Sequence, residues 1–397
     1  MRQLLILIAC FFASLLKAQN FQSGFRQISF TDTSRSNRIV PADIYYPAST
    51  VGNNVPLASG TMQFPVVVFG HGFVIPTSSY KWLGDSLSKY GFIAVFPSTE
   101  STFSPNHAAF GTDISFLATS VTSLNDSSGS IFFGRVKKRA AVAGHSMGGG
   151  CSFLAAASAN PIVYSIFNFA AAETNPSAQT AAAQVNLPAL IFSGSSDCIV
   201  QPSIQKGMYT AIPYSCKTYI NITGAVHCHF AANDGTCGAG QLFSGCNSSS
   251  ITASIVFQRV TSLLIPFLNL YLKEECTSSD LFNERYALLT GAIKERVCTS
   301  DPKGCVLTGF ESTPENKNYS VYPNPVGVTA QFILEWNENE RYISYLIYSS
   351  DGSVVQRDEL HSAGRKTIYL KRQIPGIYFI RLFSKTGSGP AKRFVVQ

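Results

Sequence analysis

Residues 140–150 read Ala-Ala-Val-Ala-Gly-His-Ser-Met-Gly-Gly-Gly, and they carry the clearest structural signal in the chain. A short apolar run ends in Gly-x-Ser-x-Gly and gives way to alanine-rich sequence that favours a helix. This order predicts a strand, a sharp turn and a helix, with Ser146 at the apex. The turn brings backbone segments close together, so Gly144 and Gly148 supply the small residues that it needs. The helix N-terminus would stabilise negative charge that develops beside the serine.

Strand and helix patterns alternate on both sides of this turn. The runs 64–70 and 92–96 are continuously apolar, as expected of strands buried on both faces of a sheet. Further strands are predicted at 165–169, 187–192 and 217–222, helices at 78–90, 107–124 and 255–272, and two edge strands at 25–30 and 43–47. The alternation predicts a mainly parallel sheet covered by helices on both faces. A Gly-x-Ser-x-Gly turn in that setting is typical of the α/β-hydrolase fold.

The bulk composition is that of a globular chain with two domains. Its 397 residues exceed one small domain, and 45% of them are hydrophobic, which suffices for a sizeable core. Only 13% are charged, and the net charge of +7 is spread along the chain instead of forming a basic patch. These features argue against disorder and against a nucleic-acid partner.

The first 18 residues resemble a secretory signal peptide. Arg2 supplies the positive start, residues 4–16 are apolar, and Ala18 is a small residue at the cleavage site. The apolar run is too short to span a bilayer, and no later run of spanning length is evident. We therefore expect an exported protein with a signal peptide at 1–18.

Ser146 becomes a nucleophile only if a base removes its proton and a carboxylate orients that base. In this fold the chain order is serine, acid, histidine. Of the six histidines, only His227 and His229 follow a suitable acid after the serine within the first domain. Asp197 is the predicted acid because it follows the strand at 187–192. His227 is the preferred base since it lies nearer the end of its strand.

An oxyanion hole needs two backbone N–H donors. Met147, directly after the serine, offers one of them. The loop at 70–73, Gly-His-Gly-Phe, offers the other through Phe73. Glu173 follows the strand at 165–169, so it could be an alternate acid or line the pocket. The candidate pocket residues are His71, His145, Glu173 and His229.

The histidine segment has one alternative interpretation. Cys228 separates the two histidines, and His-Cys-His spacing together with Cys237 could ligate zinc. In an exported chain so rich in cysteine, disulfide bonding is the preferred reading. We therefore predict neither a metal nor a cofactor.

The ten cysteines are consistent with export. Nine of them follow the leader, and all lie before residue 306. An oxidising compartment would pair most of them. We predict a disulfide bond between Cys198 and Cys216, because they bracket the helix between the acid loop and the histidine strand. A second bond is predicted between Cys276 and Cys298, and Cys151 is expected to be a buried free thiol.

The chain changes character near residue 306. Residues 306–319 read as a polar linker, and β-rich runs follow at 331–336, 343–348, 366–370 and 377–382. Short strands with glycine turns and no helical pattern predict a small β-sandwich. We therefore expect an α/β domain at 19–305 and an all-β domain at 320–397.

The first domain resembles the dienelactone-hydrolase-like, chlorophyllase-like and cutinase-like branch of the α/β-hydrolases. The matching stretches are 65–73, 144–150, 193–197 and 224–227. Gly-His-Ser-Met-Gly-Gly-Gly is the form seen in bacterial cutinases that hydrolyse polyesters. The resemblance implies Ser146, Asp197 and His227 as the triad, with Phe73 and Met147 as oxyanion donors.

Two departures limit what this resemblance carries over. Dienelactone hydrolases use a cysteine nucleophile where this chain has Ser146. Polyester hydrolases carry a tryptophan in the loop after the strand that follows the nucleophile helix, and the corresponding loop here, 169–176, has none. Activity on aromatic polyesters is therefore not implied for this chain.

The C-terminal domain resembles the sorting domain of the type IX secretion system. Val-Tyr-Pro-Asn-Pro-Val opens it at 321–326, Pro-Gly-Ile-Tyr-Phe follows at 375–379, and Lys-Arg-Phe-Val-Val closes it at 392–396. The resemblance implies passage through the periplasm, the type IX machinery as a partner, and release or attachment outside the cell.

The sequence thus predicts a secreted, monomeric serine carboxylic ester hydrolase that acts through an acyl-enzyme. Its substrate would be a small or polymeric ester, and the resemblance suggests a cutinase-like or polyesterase-like form. One alternative is a peptidase or acyltransferase that uses the same triad. Another is a surface polymer-binding protein with a vestigial triad. An intact serine, acid and histidine in the expected order favours the enzyme.

Overall fold

The computed structural model describes residues 21–232, 235–244, 246, 249–298, 319–327, 331–337, 341–349, 354–360, 364–370, 376–384 and 391–396. The chain divides into two compact units whose main boundary falls at Cys305/Val306, with the segment Asn283–Thr290 grouped with the second unit. The predicted signal peptide at 1–18 and nearly all of the linker at 306–319 lie outside the described residues. The predicted domain boundaries therefore stay predictions.

Within the described residues, the first unit is built on one sheet of ten strands. In chain order these are β1 (Gln22–Asp32), β2 (Arg38–Ala48), β3 (Gly52–Asn53), β4 (Phe64–Gly70), β5 (Ile93–Pro97), β6 (Val136–His145), β7 (Val163–Phe169), β8 (Ala189–Gly194), β9 (Cys216–Ile222) and β10 (Ala292–Cys298). Their spatial order is β10-β9-β8-β7-β6-β4-β5-β2-β1-β3. The six strands β4 to β9 are mutually parallel. By contrast, β2 pairs antiparallel with β5, and β10 pairs antiparallel with β9. The predicted mainly parallel sheet is confirmed.

The helices connect and cover these strands. They are α1 (Lys81–Lys89), α2 (His107–Ser123), α3 (Met147–Ala157), α4 (Ala178–Ala182), α5 (Pro202–Ala211), α6 (Gly235–Phe243), α7 (Ala253–Leu268) and α8 (Thr277–Leu288). Asn106 caps α2, because its side chain accepts a hydrogen bond from the Ala109 N–H at 3.0 Å. Pro202 occupies the first turn of α5, where its missing N–H is not needed.

The run of apolar residues in the central strand β4 is continuous because both faces of the strand are buried. All seven of its residues are buried. Val66 and Val68 belong to the same buried cluster as Ile114 of α2, whereas Phe69 packs against Tyr80 at the start of α1, with ring centroids 5.0 Å apart. Because successive side chains of a strand face opposite sides, both faces of the strand are covered.

Several elements differ from the sequence prediction. The strands at 25–30 and 43–47 are not edge strands, since β2 lies between β1 and β5, and β1 lies between β2 and the short strand β3. The outer strand β10 was not predicted, because three consecutive charged residues, 294–296, interrupt its apolar pattern and its side chains are only half buried or exposed. The predicted helix at 255–272 is α7 followed by a π-helical turn at Asn269–Lys273.

The stretch Ala253–Lys273 also corrects the expectation that no later apolar run has spanning length. It has 21 residues, and an 18-residue window within it has a mean hydropathy of 1.4, so it is long and apolar enough to cross a membrane. However, 56% of its apolar window is buried inside the protein. Burial of this kind is typical of the core helix of a globular domain.

The second unit contains two antiparallel sheets in its described residues. Its strands are β11 (Tyr319–Tyr322), β12 (Gln331–Trp336), β13 (Tyr342–Ser349), β14 (Val354–Glu359), β15 (Arg365–Tyr369), β16 (Gly376–Ser384) and β17 (Lys392–Val396). One sheet has the order β11-β12-β15 and the other β14-β13-β16-β17. Residues from both sheets, including Phe332, Tyr345 and Phe394, share one buried cluster. The predicted all-β character of this region is confirmed.

The predicted disulfide pairing is wrong. Cys198 is bonded to Cys246, and Cys216 to Cys298. Cys216 begins β9, while Cys198 follows the opposite, carboxyl end of β8, so the length of a strand (about 20 Å for six residues) separates them. Cys298 lies directly opposite Cys216 in the β9–β10 register and therefore takes its place. Cys276 is bonded to a cysteine other than Cys298.

Two further cysteines pair locally, and one remains free. Cys228 is bonded to Cys237 across nine residues of sequence. Cys151 is a buried free thiol, as expected, and burial raises the pKa of this group. An uncharged thiol on α3, packed inside the main core cluster, behaves as a small apolar side chain.

Candidate active site

Ser146 occupies a sharp turn between β6 and α3. Its backbone has φ 54° and ψ −121°, a conformation that costs energy for any residue other than glycine. The surrounding hydrogen bonds hold it there, since the Ser146 N–H donates to the Phe169 carbonyl at 3.0 Å. Its own carbonyl accepts from the Ala172 N–H at 2.8 Å and from the Gly150 N–H at 3.0 Å.

The glycines on either side of the turn are required by close backbone contacts. A Cβ atom on Gly144 would collide with the backbone of Gly148. A Cβ atom on Gly148 would collide with the carbonyl of Gly70 at the end of β4. The spacing of Gly-x-Ser-x-Gly therefore follows from the tight packing of α3 against the ends of β4 and β6.

Asp197 and His227 meet at the carboxyl edge of the sheet. Asp197 follows β8, His227 follows β9, and the His227 Nδ1 lies 2.7 Å from Asp197 Oδ2. The other carboxylate oxygen accepts hydrogen bonds from the N–H groups of Ile199 and Val200, both at 2.9 Å. Both side chains are almost fully buried. The carboxylate is thus fixed by its own loop and holds one nitrogen of the imidazole.

Backbone and side-chain hydrogen bonds join the two loops that carry this pair. The Ser196 N–H donates to the Ala225 carbonyl at 2.9 Å, and the Gly224 N–H donates to Ser195 Oγ at 2.8 Å. Gly224 has φ 76°, the left-handed conformation that glycine adopts without strain. These contacts fix the acid loop relative to the histidine loop.

The serine turn lies beside the histidine. The ring of His145, the neighbour of Ser146, packs on the ring of His227 with centroids 4.6 Å apart. Ser146 is 7% exposed, and its hydroxyl makes no hydrogen bond with any residue that the structure describes. Catalytic hydrogen bonds of this type often tighten only when substrate binds. The turn that carries Ser146 therefore adjoins the turn that carries His227.

Two backbone N–H groups near Ser146 are uncommitted, whereas their neighbours are engaged. The Gly72 N–H donates to the Tyr80 hydroxyl at 2.9 Å, and the Gly148 N–H donates to the His71 carbonyl at 3.1 Å. The N–H groups of Phe73 and Met147 have no acceptor among the described residues. The loop after β4 and the first turn of α3 therefore each offer one donor.

His71 and His145 are interior side chains of the site. His71 is 1% exposed, and its two ring nitrogens lie 2.8 Å from the Gly72 carbonyl and 2.9 Å from the Thr99 carbonyl. His145 is fully buried, with Nδ1 2.9 Å from the Tyr80 hydroxyl. Burial lowers the pKa of both imidazoles, and the neighbouring imidazole of His227 lowers that of His145 further. Both hold surrounding groups in place instead of facing an open pocket.

The remaining candidates lie to the side of the pair. His229 is buried in the turn after His227, its Nδ1 accepts from the Val226 N–H at 3.4 Å, and burial lowers its pKa. Glu173 is exposed, and its carboxylate accepts from the Gln179 N–H in α4 at 3.3 Å. Neither side chain contacts Asp197. As for the zinc alternative, Cys228 and Cys237 are bonded to each other, so neither thiolate can ligate a metal.

Sequence reasoning missed Tyr80, which links two of these elements. Its hydroxyl accepts from the Gly72 N–H and contacts His145, so it connects the loop after β4 with the serine turn. It is fully buried beside Phe96. A tyrosine in a Thr-Ser-Ser-Tyr turn carries no spacing signal, so only the three-dimensional arrangement identifies it.

The two units match two families. Residues 13–244 match the family model described as PET hydrolase-like. Residues 320–397 match the secretion system C-terminal sorting domain. The second match, which corresponds to the type IX sorting domain, indicates secretion to the cell surface or the extracellular space.

Curated relatives share the first region. A "Bis(hydroxyethyl) terephthalate hydrolase" from Streptomyces coelicolor is 30% identical over 205 residues, which cover 50% of this chain and 60% of the relative. "Cutinase est2" from Thermobifida alba is 28% identical over 186 residues, or 44% of this chain and 58% of the relative. A "Cutinase" from Thermobifida fusca is 29% identical over 190 residues, with coverages of 44% and 58%. The chain spans about three-fifths of the length of these relatives.

Proposed function

The chain belongs to the PET hydrolase-like family, and from this membership we propose that it is a secreted serine hydrolase of carboxylic esters. The observation that carries the proposal is the 2.7 Å hydrogen bond between His227 Nδ1 and Asp197 Oδ2. It lies beside a serine in a strained turn at the end of a parallel strand. That combination provides a nucleophile, a base and a carboxylate that orients the base.

In the proposed reaction, Ser146 Oγ attacks the ester carbonyl carbon while its proton passes to His227 Nε2. The hydrogen bond from His227 Nδ1–H to Asp197 keeps Nε2 free to accept that proton and stabilises the resulting imidazolium. The carbon–oxygen bond to the alcohol then breaks, and the alcohol leaves with the proton from Nε2. The product of this half-reaction is an acyl-enzyme on Ser146.

Water completes the cycle by the same route. His227 accepts a proton from water, whose oxygen attacks the acyl carbon, and the proton returns to Ser146 Oγ as the carboxylic acid departs. In both tetrahedral intermediates the carbonyl oxygen carries negative charge. The uncommitted N–H groups of Phe73 and Met147 would donate to that oxygen, and removing one such donor typically costs about 10²- to 10³-fold in kcat.

The substrate class follows from the family and from the named relatives. Two of those relatives are cutinases, and a third is a hydrolase of bis(hydroxyethyl) terephthalate. We therefore propose small esters and polyesters as substrates. The loop after β7 contains Ala171 and Ala172 and no tryptophan, so this chain offers less aromatic surface there for an aromatic acyl group.

A hydrolysis assay with short-chain p-nitrophenyl esters tests the proposal. Ser146→Ala and His227→Ala should each reduce turnover by several orders of magnitude, because the members of a triad act as a unit. The matched control is His229→Gln, which alters a buried histidine two residues from the base and should retain most of the activity.

The results of this assay distinguish the proposed function from its alternatives. If His229→Gln is the inactive variant and His227→Ala is active, the base is assigned wrongly. If the unmodified protein hydrolyses no ester, the chain is a binding protein with a vestigial triad. If it cleaves peptides or transfers acyl groups faster than it hydrolyses esters, the triad serves one of those reactions instead.

A further inference from the structure

We propose that His71 is a positioning residue for the oxyanion hole, and that it sets the direction of the Phe73 N–H by holding the Gly72 carbonyl. This inference rests on the proposed function, because it concerns the donor that stabilises the tetrahedral intermediate. His71 itself does not contact the substrate. It acts on the reaction through the peptide bond between Gly72 and Phe73.

The peptide between Gly72 and Phe73 couples its carbonyl to its N–H group. The Gly72 carbonyl and the Phe73 N–H belong to one planar trans unit, so they point in opposite directions. Any donor that holds the carbonyl also fixes the line along which the N–H points. The Gly72 oxygen lies 2.8 Å from His71 Nδ1 and accepts from the Ile75 N–H at 3.1 Å. A carbonyl cannot donate, so the bond to the ring exists only when Nδ1 carries a proton.

The ring of His71 cannot turn away from the Gly72 carbonyl. It is 1% exposed and packs on the Phe110 ring of α2, with centroids 4.8 Å apart. Its Nε2 lies 2.9 Å from the Thr99 carbonyl, a contact that is a hydrogen bond only when Nε2 carries a proton. Thr99 is held in turn, since its hydroxyl donates to Asp113 at 2.6 Å. The position of the imidazole is therefore set by the core and not by the loop.

The two proposed donors are held by different kinds of group. The Met147 N–H belongs to a peptide whose carbonyl, that of Ser146, is held by two backbone N–H groups. The Phe73 N–H lies in a loop, and Phe73 is itself 47% exposed. One of the two groups that hold the preceding carbonyl, that of Gly72, is the side chain of His71. Substitution of that side chain should consequently loosen the Phe73 donor and leave the Met147 donor in place.

The backbone of His71 also links the two donors. Its carbonyl accepts from the Gly148 N–H at 3.1 Å, in the first turn of α3. This contact fixes the distance between the loop after β4 and the serine turn. One residue thus contacts both halves of the proposed oxyanion hole, with its main chain on one side and its ring on the other.

A pair of substitutions separates positioning from packing. His71→Asn places an amide N–H near the position of Nδ1 and keeps a donor for the Gly72 carbonyl. His71→Gln places its amide near Nε2, so it keeps the contact with Thr99 and loses the one with Gly72. We expect His71→Asn to stay within about threefold of the wild-type kcat, and His71→Gln to lose about 10- to 100-fold with KM little changed.

The Ki of a tetrahedral inhibitor tests the oxyanion hole directly, because a residue with a purely structural role would not change it. Butylboronic acid forms a tetrahedral adduct with the serine, so its Ki should rise in His71→Gln by about the same factor as kcat falls. Equal losses in the two variants, a change in KM alone, or an unchanged boronate Ki would each overturn the proposal. If the unmodified protein hydrolyses no ester, the proposed function fails instead, and that result is separate.

A measurement on the unmodified protein keeps the proposal testable even if both variants fail to fold. In full-length protein labelled with ¹⁵N-histidine, the ring of His71 should carry a slowly exchanging proton on Nδ1 at neutral pH. A His71 ring protonated only on Nε2 would donate to Thr99 and not to Gly72. That tautomer would contradict the proposal directly.

Discussion

Cys228 and Cys237 form a disulfide bond that ties the residue after His227 to α6. The residue after Asp197 is bonded in a similar way, because Cys198 pairs with Cys246, three residues beyond the end of the same helix. The acid and the proposed base are therefore each followed by a covalent link to the α6 segment. This segment connects the two loops more firmly than their hydrogen bonds alone.

Loss of the two disulfide bonds to the α6 segment should lower catalytic activity as well as stability. In the chain-entropy model, a bond across nine residues contributes about 2.5 kcal/mol and one across 48 about 4 kcal/mol. Replacing Cys228 and Cys237 together by serine should lower kcat by about tenfold, because the histidine loop gains freedom. Esterase kinetics and a urea midpoint measure the two effects separately.

The matched control is the bond between Cys216 and Cys298. It spans 82 residues and lies at the amino end of β9, a strand length away from His227. The chain-entropy model gives it about 4.5 kcal/mol, so its double serine variant should lose more stability than the first and keep its kcat. Equal losses of kcat in both variants would show that the α6 links have no special connection to the site.

The strain at Ser146 predicts an order of stability among inactive variants. Ser146→Ala keeps a Cβ at φ 54°, whereas Ser146→Gly relieves it. Both variants should be inactive, but the glycine variant should be more stable by about 1 kcal/mol, after allowance for the larger entropy of its unfolded chain. Urea unfolding compares them. A glycine variant less stable than the alanine one would show that this turn stores no strain.

Removing one partner from the buried ion cluster around Asp113 should destabilise the first unit, because it leaves the other charges without their counter-ion. Its carboxylate is fully buried and lies 2.7 Å from both Arg35 Nη2 and Arg38 Nη2. Asp113→Asn should cost about 2–3 kcal/mol, somewhat less than for a fully buried pair because both arginines are partly exposed. The control is Asp126→Asn at the exposed pair with Lys138, which should leave the urea midpoint unchanged.

Three buried histidines predict how stability depends on pH. Burial lowers the pKa of His71, His145 and His229 below the ordinary value of 6.5. Between the lowered values and 6.5 the unfolded chain binds more protons than the folded one, so stability rises with pH in that window. Above this pH window the three histidines cause no further change in stability.

The urea midpoint of the first unit between about pH 5 and pH 8 measures this dependence. The chain has two tryptophans, so Trp336→Phe leaves the fluorescence of Trp82 as a probe of the first unit. Within this background, His229→Gln should flatten the rise below pH 6.5. A midpoint that falls as pH rises toward 6.5 would contradict the assignment of these groups.

The β-rich unit should be dispensable for chemistry and required for export. Every residue of the proposed triad and both proposed oxyanion donors lie before residue 228, and residues 320–397 match a sorting domain. A chain of residues 19–310 should hydrolyse esters at close to the rate of the mature protein. In the native host, deletion of 320–397 should leave the enzyme in the periplasm. Normal extracellular activity from the deletion strain would show that this unit is not the export signal.

Much of the fold follows from local patterns. The apolar run at 64–70 predicts β4 because a strand buried on both faces needs no polar residue. Gly-x-Ser-x-Gly predicts the junction of β6 and α3 because the close backbone contacts admit only glycine. The order of strands predicts that Asp197 and His227 reach the same edge of the sheet.

The rest depends on contacts that are distant in sequence. Which cysteines pair is decided by the register of β9 and β10, and β10 has no strong apolar pattern of its own. The sequence also places His71 near a pocket, whereas its ring faces two carbonyl groups in the interior. Such roles become visible only when the surrounding backbone is known.

The bond between Cys216 and Cys298 has a mechanical consequence. Cys298 ends β10, and the chain continues from there toward the sorting domain. A force applied through the C-terminus during secretion would begin to peel β10 from β9 at that pair, by breaking their hydrogen bonds one after another. The disulfide blocks the first of these steps and passes the tension into β9, inside the sheet. We therefore expect reduction of this bond to lower the force that separates β10 from β9.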